Sequence, residues 1–375
     1  MKIAFVNDAI YPFVKGGVER RIYELASRLD ERGHEVHLYG LQWWQGESTF
    51  SFNNVVVHGA GRGCPLYVRG RRSIPEAFRF SLHLLPCLLQ EDYDLIDCQA
   101  APYIPCYSSK TASILRKAPL VITWHEVWNE YWYEYLGRSG YAGRLIERMA
   151  AHLTHDHIAV SDSTRDGLRR LGVPYDIEVI PNGIDFEQIR QTPPARMTSD
   201  VIYVGRLIKE KNVDLLIRAV RLLADEDPEI RCQIIGDGPE YDRLVALAGQ
   251  LDLSEEQVLF RGALEDHEDL IAALHASRVF VLPSVREGFG IVVLEANAAG
   301  LPVVTIDHPM NAARHLITGR NGATCALSDT AIASGISEML MNGNAMRGDC
   351  IAFAERYNWD TIAGSLLSYY QGLAG

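Results

Sequence analysis

The sequence predicts an α/β protein made of two doubly wound parallel-sheet domains, and three observations carry that prediction. Strand-like and helix-like segments alternate along 375 residues, and the alternation stops and restarts once. Between the two runs lies a turn-rich, proline-bounded stretch, from Ile180-Pro181-Asn182-Gly183-Ile184-Asp185 to Pro193-Pro194. The chain is also too long for one ordinary core. These marks place a first domain at 1–180, a linker at 181–199 and a second domain at 200–356. Residues 357–375 are expected to cross back to the first domain. Two such domains in tandem make a cleft, and sheets of this kind bind ligands at the carboxyl ends of their strands.

Ile3–Asn7 reads as a buried strand. Val18, Ile22, Leu25, Ala26 and Leu29 repeat at helical spacing over 18–31, and Gly33 ends that helix. Strands follow at Glu35–Tyr39, Val55–Val57, Leu95–Asp97 and Leu120–Trp124. A helix is expected over 141–153, then the strand Ile158–Val160 and a Ser161-x-Ser163 cap. In the second run, strands are expected at Val201–Val204, Cys232–Ile235, Val258–Phe260, Val279–Leu282 and Pro302–Ile306. Helices at Val213–Leu223, Tyr241–Gln250, Leu270–His275 and Ile291–Ala299 separate them, and Thr361–Leu373 closes the chain.

Composition narrows the class. A 47% hydrophobic, 22% charged chain is that of a soluble globular protein. No run of about 18 apolar residues is present to span a membrane. Met1-Lys2-Ile3-Ala4-Phe5-Val6-Asn7-Asp8 has too short an apolar run for a signal peptide, which implies a cytoplasmic protein. Seven scattered cysteines without a Cys-x-x-Cys pair argue for reduced thiols. His152, His155 and His157 lack a fourth ligand in the sequence, so no metal site is expected.

Charge is unevenly shared. Residues 1–198 hold 22 basic and 23 acidic side chains, leaving 14 against 25 for the rest and a net −12 overall. So acidic a chain makes nucleic acid a poor partner. Arg62, Arg69, Arg71, Arg72 and Arg79 face only Glu76 and run into the apolar Ile74–Leu89 segment. That pattern fits either peripheral contact with an anionic membrane surface or a core helix beside a solvated arginine loop.

The chemistry concentrates in Ser284-Val285-Arg286-Glu287-Gly288-Phe289-Gly290-Ile291-Val292-Val293-Leu294-Glu295. Glu287 falls in a glycine-rich loop, where the backbone approaches a ligand closely. The helix start at Ile291 favours a phosphate, and Glu295, one turn inside, can accept from paired hydroxyls. The alternative is a solvated Glu followed by a buried, salt-bridged one. Gly16-Gly17 precedes a helix and can cup a phosphate, or be a plain turn. In Gly205-Arg206-Leu207-Ile208-Lys209-Glu210-Lys211-Asn212, Arg206 and Lys211 suit a diphosphate, or a solvated loop. His125, in Thr123-Trp124-His125-Glu126-Val127-Trp128, ends a strand and is placed to meet a substrate hydroxyl or to be structural. Gly236-Asp237-Gly238-Pro239 reads as architectural.

Taken together these residues resemble the family 4 retaining glycosyltransferases of the GT-B fold, in family order over nearly the whole chain. The resemblance implies two Rossmann-like domains facing across a cleft, and a UDP- or GDP-linked sugar donor held mainly by the second. It implies transfer of a hexose with retention and without a cofactor or obligatory metal, to a glycan, lipid or lipid-linked acceptor. It also implies roles. Arg206 and Lys211 hold the diphosphate, and Glu295 accepts from the ribose. Glu287, Gly288, Phe289, Gly290 and Ile291 surround the transferred sugar and its phosphate. Gly16 and Gly17 add N–H groups, His125 contacts the sugar, and the turn at Leu264 lies against the base.

Two features depart from the family or stand outside it. Asp307-His308-Pro309-Met310-Asn311-Ala312-Ala313 replaces a usual Gly-Gly turn, so contacts with the outer sugar or base should differ. Trp124, Trp128, Tyr131, Trp132, Tyr133 and Tyr135 are expected either to line an acceptor site or to form an interdomain packing cluster. The competing functional class is a non-catalytic nucleotide-sugar-binding or regulatory protein on the same scaffold. A nicotinamide-dependent dehydrogenase is disfavoured by the missing Gly-x-Gly-x-x-Gly. A glycogen-phosphorylase-like enzyme would need a pyridoxal lysine and a much longer chain.

Overall fold

The computed structural model describes residues 1–68 and 71–374. It contains two compact units: Met1–Asn182 together with the segment from Trp359 onward, and Gly183–Asn358.

The first unit begins with β1 (Lys2–Val6), α1 (Gly17–Glu31), β2 (Glu35–Gln42), β3 (Thr49–Phe52) and β4 (Val55–Arg62). A short antiparallel pair, β5 (Tyr67–Val68) and β6 (Arg71–Arg72), leads into α2 (Ile74–Leu88). Next come β7 (Leu95–Gln99), α3 (Ile104–Arg116), β8 (Leu120–Trp124), α4 (Tyr131–Leu136) and α5 (Gly140–Ala150). The unit then runs through β9 (Asp156–Ala159), α6 (Asp162–Arg170) and β10 (Ile177–Val179). The sheet order is β10-β9-β8-β7-β1-β2-β4-β3, parallel except at the β3–β4 edge.

Strands β1, β7 and β8 are almost entirely buried because helices cover both faces, which is why they read as continuous apolar runs. One face packs Phe80 and Leu84 of α2 and Ala112 of α3 against Ile96, Ile122 and Trp124. The other packs Ile22, Leu25 and Leu29 of α1 against Ile3, Phe5 and Leu38.

The second unit holds α7 (Phe186–Gln191), β11 (Ser199–Val204), α8 (Val213–Glu226), β12 (Cys232–Ile235), α9 (Tyr241–Gln250) and β13 (Val258–Gly262). It continues with α10 (His267–His275), β14 (Ser277–Leu282), α11 (Ile291–Ala299), β15 (Val303–Ile306), β16 (Gly322–Cys325) and α12 (Asp329–Glu355). Its sheet, β13-β12-β11-β14-β15-β16, is parallel throughout. The closing helix α13 (Trp359–Ala374) belongs to the first unit, where Trp359, Ile362, Leu366 and Tyr370 complete the α1 face of the core.

Several elements, β3, β10 and β16 among them, lie outside the sequence expectation, and three further ones have a clear physical reason. The stretch 183–199 is not a free linker, because it forms α7, whose Phe186 and Ile189 are buried in the second unit. Helix α3 has no apolar stripe to reveal it, since its buried face includes Ser109 and Ser113. Helix α12, at 27 residues, runs unbroken through Gly335, Gly343 and Gly348. A Cβ at Gly335 would lie 3.0 Å from Val304 Cγ1, so glycine lets this helix lie close on β15. All seven cysteines are free thiols, and no described helix is long and apolar enough to cross a membrane.

Candidate functional site

In the second unit, β11 and β14 are neighbours, and the loops that leave their carboxyl ends carry the predicted charges. Lys211 closes a single 3-10 turn, Lys209–Lys211, followed by Asn212 at φ 48°. Asn212 Nδ2 donates to the Pro283 carbonyl at 3.1 Å, and the Val285 N–H donates to the Glu210 carbonyl at 3.1 Å. These bonds bring the Lys211 ammonium 2.5 Å from Glu287 Oε1, with side-chain exposures of only 19% and 14%. The Lys211 ammonium and the Glu287 carboxylate thus neutralise each other, as partly buried charges require.

The loop that departs from the family pattern supports Glu287. Glu287 N–H donates to the Met310 carbonyl at 3.1 Å, and its own carbonyl accepts from Ala312 N–H at 2.9 Å. Asn311, fully buried, anchors this frame by donating to Thr305 Oγ1 (3.1 Å) and the Ile306 carbonyl (2.8 Å). A glycine pair could not supply those side-chain bonds.

Gly288 and Ile291 are half-buried, and Phe289 is buried with its ring 6.2 Å from Tyr357. Gly290 caps α11 at φ 96°, and a Cβ there would stand 2.6 Å from the Ala313 Cβ. No side chain caps this helix, so its first N–H groups remain suited to an anionic ligand. Glu295, 5% exposed on α11, lies with Oε1 3.3 Å from His267 Nε2. His267 opens α10 immediately beyond the turn bearing Leu264, and sequence reading missed it. A lone His after Glu265-Asp266 carries no local signal.

Arg206 is exposed, and its carbonyl accepts from the buried Tyr203 hydroxyl at 3.1 Å. Its loop rests on Gly236-Asp237-Gly238. Leu207 N–H donates to the Asp237 carbonyl at 2.9 Å, and a Cβ on Gly236 would be 1.9 Å from the Gly205 carbonyl oxygen. The architectural reading of those glycines follows from that contact.

In the first unit, Gly16 and Gly17 are exposed at the start of α1. The space beside Gly16 is taken by the protein's own carboxylate. A Cβ on Gly16 would lie 2.2 Å from Glu19 Oε2, so Glu19 folds back over the glycine. Burial raises the Glu19 carboxyl, and a hydrogen bond from Asn7 opposes that rise.

His125 follows β8, with Nε2 2.8 Å from Gln99 Oε1 at the end of β7. Gln99 Nε2 donates to Asp97 Oδ1 at 2.9 Å. The buried Asp97 carboxylate also accepts from Thr123 Oγ1 (2.8 and 2.9 Å) and from the Tyr370 hydroxyl of α13. Burial, reinforced by the Arg21 guanidinium, pushes the His125 imidazole down to about 3, so the ring is neutral. Burial also lifts Asp97 to about 6, against its four favourable partners. Arg21, itself 1% exposed, donates to the carbonyls of Ile180 (3.0 Å) and Pro181 (2.5 Å) and to Asn182 Oδ1 (3.0 Å). Sequence reading missed Asp97 and Gln99. Polar residues inside a strand buried on both faces were the available signal.

Two further expectations change. Trp124 is fully buried against Tyr103 and His157, so it belongs to the core and lines no surface. Trp128, Trp132 and Tyr135 do cluster, with ring centroids 4.6 to 6.3 Å apart. Glu147 of α5 holds the turn before them, accepting from the Trp128 and Asn129 N–H groups at 2.7 and 2.9 Å. Arg72 is not a solvated arginine: it pairs with the buried Asp8 and lies 3.8 Å from Glu76. Arg62 and Arg79 are exposed, whereas Arg69 and the Arg71 side chain lie outside the described residues.

Comparison with known proteins gives the family and the fold. Residues 15–188 match the model described as Glycosyltransferase Family 4, and residues 185–357 match Glycosyl transferases group 1. The chain is 27% identical to the glycogen synthase of Mycobacterium tuberculosis, covering 99% of this chain and 94% of that protein. It is 26% identical to the phosphatidyl-myo-inositol mannosyltransferase of Mycobacterium leprae, over 96% and 94% of the two chains. Among solved structures, sucrose-phosphate synthase from Thermosynechococcus elongatus superposes with a TM-score of 0.84 at 19% identity, covering 99% and 98%. Anabaena HepE in complex with UDP gives 0.76 at 21% identity, covering 99% and 100%.

Proposed function

The chain belongs to the group 1 and family 4 glycosyltransferases, and from that premise we propose a metal-independent hexose transfer with retention of anomeric configuration. The fold is GT-B and the activity is nucleotide-sugar-dependent glycosyl transfer. The acceptor in this reading is a glycan, lipid or lipid-linked glycan, and the setting is the cytoplasm.

The observation that carries the reading is the Lys211–Glu287 pair beside the uncapped start of α11. Breaking a glycosyl–phosphate bond leaves positive charge on the ring and negative charge on the departing diphosphate. Lys211, Arg206 and the first N–H groups of α11 suit the diphosphate, a preorganised stabilisation of several kcal/mol once water is excluded. Lys211 then exchanges its carboxylate for phosphate, which frees Glu287 for the sugar hydroxyls. Glu295, steadied by His267, accepts from the ribose, and Leu264 meets the base. In the first unit, Gly16 and Gly17 offer N–H groups to phosphate after Glu19 moves aside, and His125 meets the sugar. The leaving phosphate itself takes the acceptor's proton on the same face.

The test is thermal stability against UDP-, GDP- and ADP-sugars with NAD(H) as control, since a ligand of the folded state raises the midpoint. A shift with one sugar nucleotide names the donor, and Lys211→Ala or Glu287→Ala should then lose transfer by at least about 100-fold. Wild-type turnover by either variant would sink the site assignment. Donor binding without any turnover by the wild type would favour the non-catalytic class.

Peripheral membrane contact is part of the same proposal. Ile74, Phe78 and Leu82 recur every fourth residue on α2 and are 62%, 51% and 74% exposed, next to the exposed Arg79. An apolar stripe edged by a cation suits an anionic lipid surface.

A further inference from the structure

The His125 ring is neutral and is held by one partner, so the identity of that partner decides which nitrogen carries the proton. An ionised carboxylate only accepts hydrogen bonds, and Asp97 already receives them from Thr123 and Tyr370. The side of the Gln99 amide that faces Asp97 Oδ1 at 2.9 Å must therefore be its NH2. Its carbonyl is then turned to His125, 2.8 Å from Nε2. A carbonyl oxygen accepts and a neutral imidazole has one N–H, so the proton sits on Nε2 and Nδ1 keeps its lone pair. Nδ1 has no hydrogen-bond partner in the protein among the described residues.

Resting on the reading that His125 meets the transferred sugar, we propose that Gln99, oriented by Asp97, is a positioning residue. It fixes His125 as the Nε2–H tautomer, so that Nδ1 accepts a hydrogen bond from a donor-sugar hydroxyl. The chemistry selects sugars that keep that hydroxyl. A site built to pair an O–H strongly rejects an analogue lacking it, because the buried acceptor is left alone. It also removes His125 as an acid for the leaving group, since its only proton is committed to Gln99. The groups facing this chain are Arg21 from α1, Thr123 from β8, and Tyr369 and Tyr370 from α13. None of them competes for Nε2.

Long-range 1H–15N correlation NMR of the ligand-free, histidine-labelled protein at pH 7.5 tests this without any substrate. The His125 signals are assigned by their loss in His125→Asn. The wild type should show the neutral Nε2–H pattern. Gln99→Met, which keeps the volume and removes the carbonyl, should shift His125 to mixed or Nδ1–H tautomers in a protein that still unfolds cooperatively. A wild-type ring protonated on Nδ1, or a Gln99→Met ring still fixed as Nε2–H, overturns the proposal. With the donor named by the thermal-shift panel, Gln99→Met should lower kcat/KM about tenfold. A tautomer that shifts while kcat/KM stays at the wild-type level would instead overturn the contact between His125 and the sugar.

Discussion

Lys211 and Glu287 illustrate how a ligand-free site satisfies charges that are meant for a substrate. Each carries mostly buried charge, and each answers the other at 2.5 Å. Removing one leaves its partner unpaired, at a cost of roughly 1–3 kcal/mol. Asp97 behaves differently. Burial lifts its carboxyl from 3.8 to about 6, so between those values the folded chain binds a proton that the unfolded chain does not. Stability from this group therefore rises as pH falls through that window. The difference in unfolding free energy, wild type minus Asp97→Asn, should grow between pH 7 and pH 4.5 in urea titrations. A flat or falling difference would show that the burial of Asp97 is relieved by its hydrogen bonds.

Among the elements, α11 depends on its first residue. Gly290 combines φ 96° with a neighbour that leaves no room for a Cβ. Gly290→Ala should cost about 1–3 kcal/mol and weaken donor binding, because the helix start would shift from the Glu287 loop. A variant with wild-type stability in urea would show that Ala313 gives way freely. Helix α2 poses the opposite case, an element whose outer face has no use within the unit. Ser73 caps it, and Phe80, Leu84 and Leu88 tie it to the core, while Phe78 and Leu82 stay exposed. Phe78→Asp with Leu82→Asp should abolish sedimentation with anionic liposomes and leave the fold intact. Unchanged sedimentation would make the stripe an ordinary surface.

Across the whole molecule, the return of the chain matters most. The first unit is not complete at Asn182, since α13 supplies Trp359, Ile362, Leu366 and Tyr370 to its core and a hydroxyl to Asp97. Trp359→Ala should destabilise by about 3–5 kcal/mol, the range for a large buried aromatic. Removal of residues from Trp359 onward should leave a first unit that binds the dye ANS and loses near-ultraviolet circular dichroism. A truncated protein with native circular dichroism would show that α1 can close that face alone.

The sequence by itself determined the two parallel sheets, because strands buried on both faces must be apolar throughout. It also determined the Glu287–Glu295 loop and helix, because only glycines fit the turn at Gly290. It placed Lys211, Arg206 and His125 at strand ends by the same local logic. What tertiary structure decided are the partners. The Lys211–Glu287 pair, Glu295 with His267, the Asp97–Gln99–His125 chain and the Arg72–Asp8 pair join residues far apart in sequence. No local pattern encodes such a meeting. Helices α3 and α12 escaped for a related reason: their buried faces use serine and glycine, whose place in a core is fixed by the neighbour they touch. The folding of Glu19 over Gly16 belongs there too, since a carboxylate one turn into a helix reads the same whether it faces solvent or folds back.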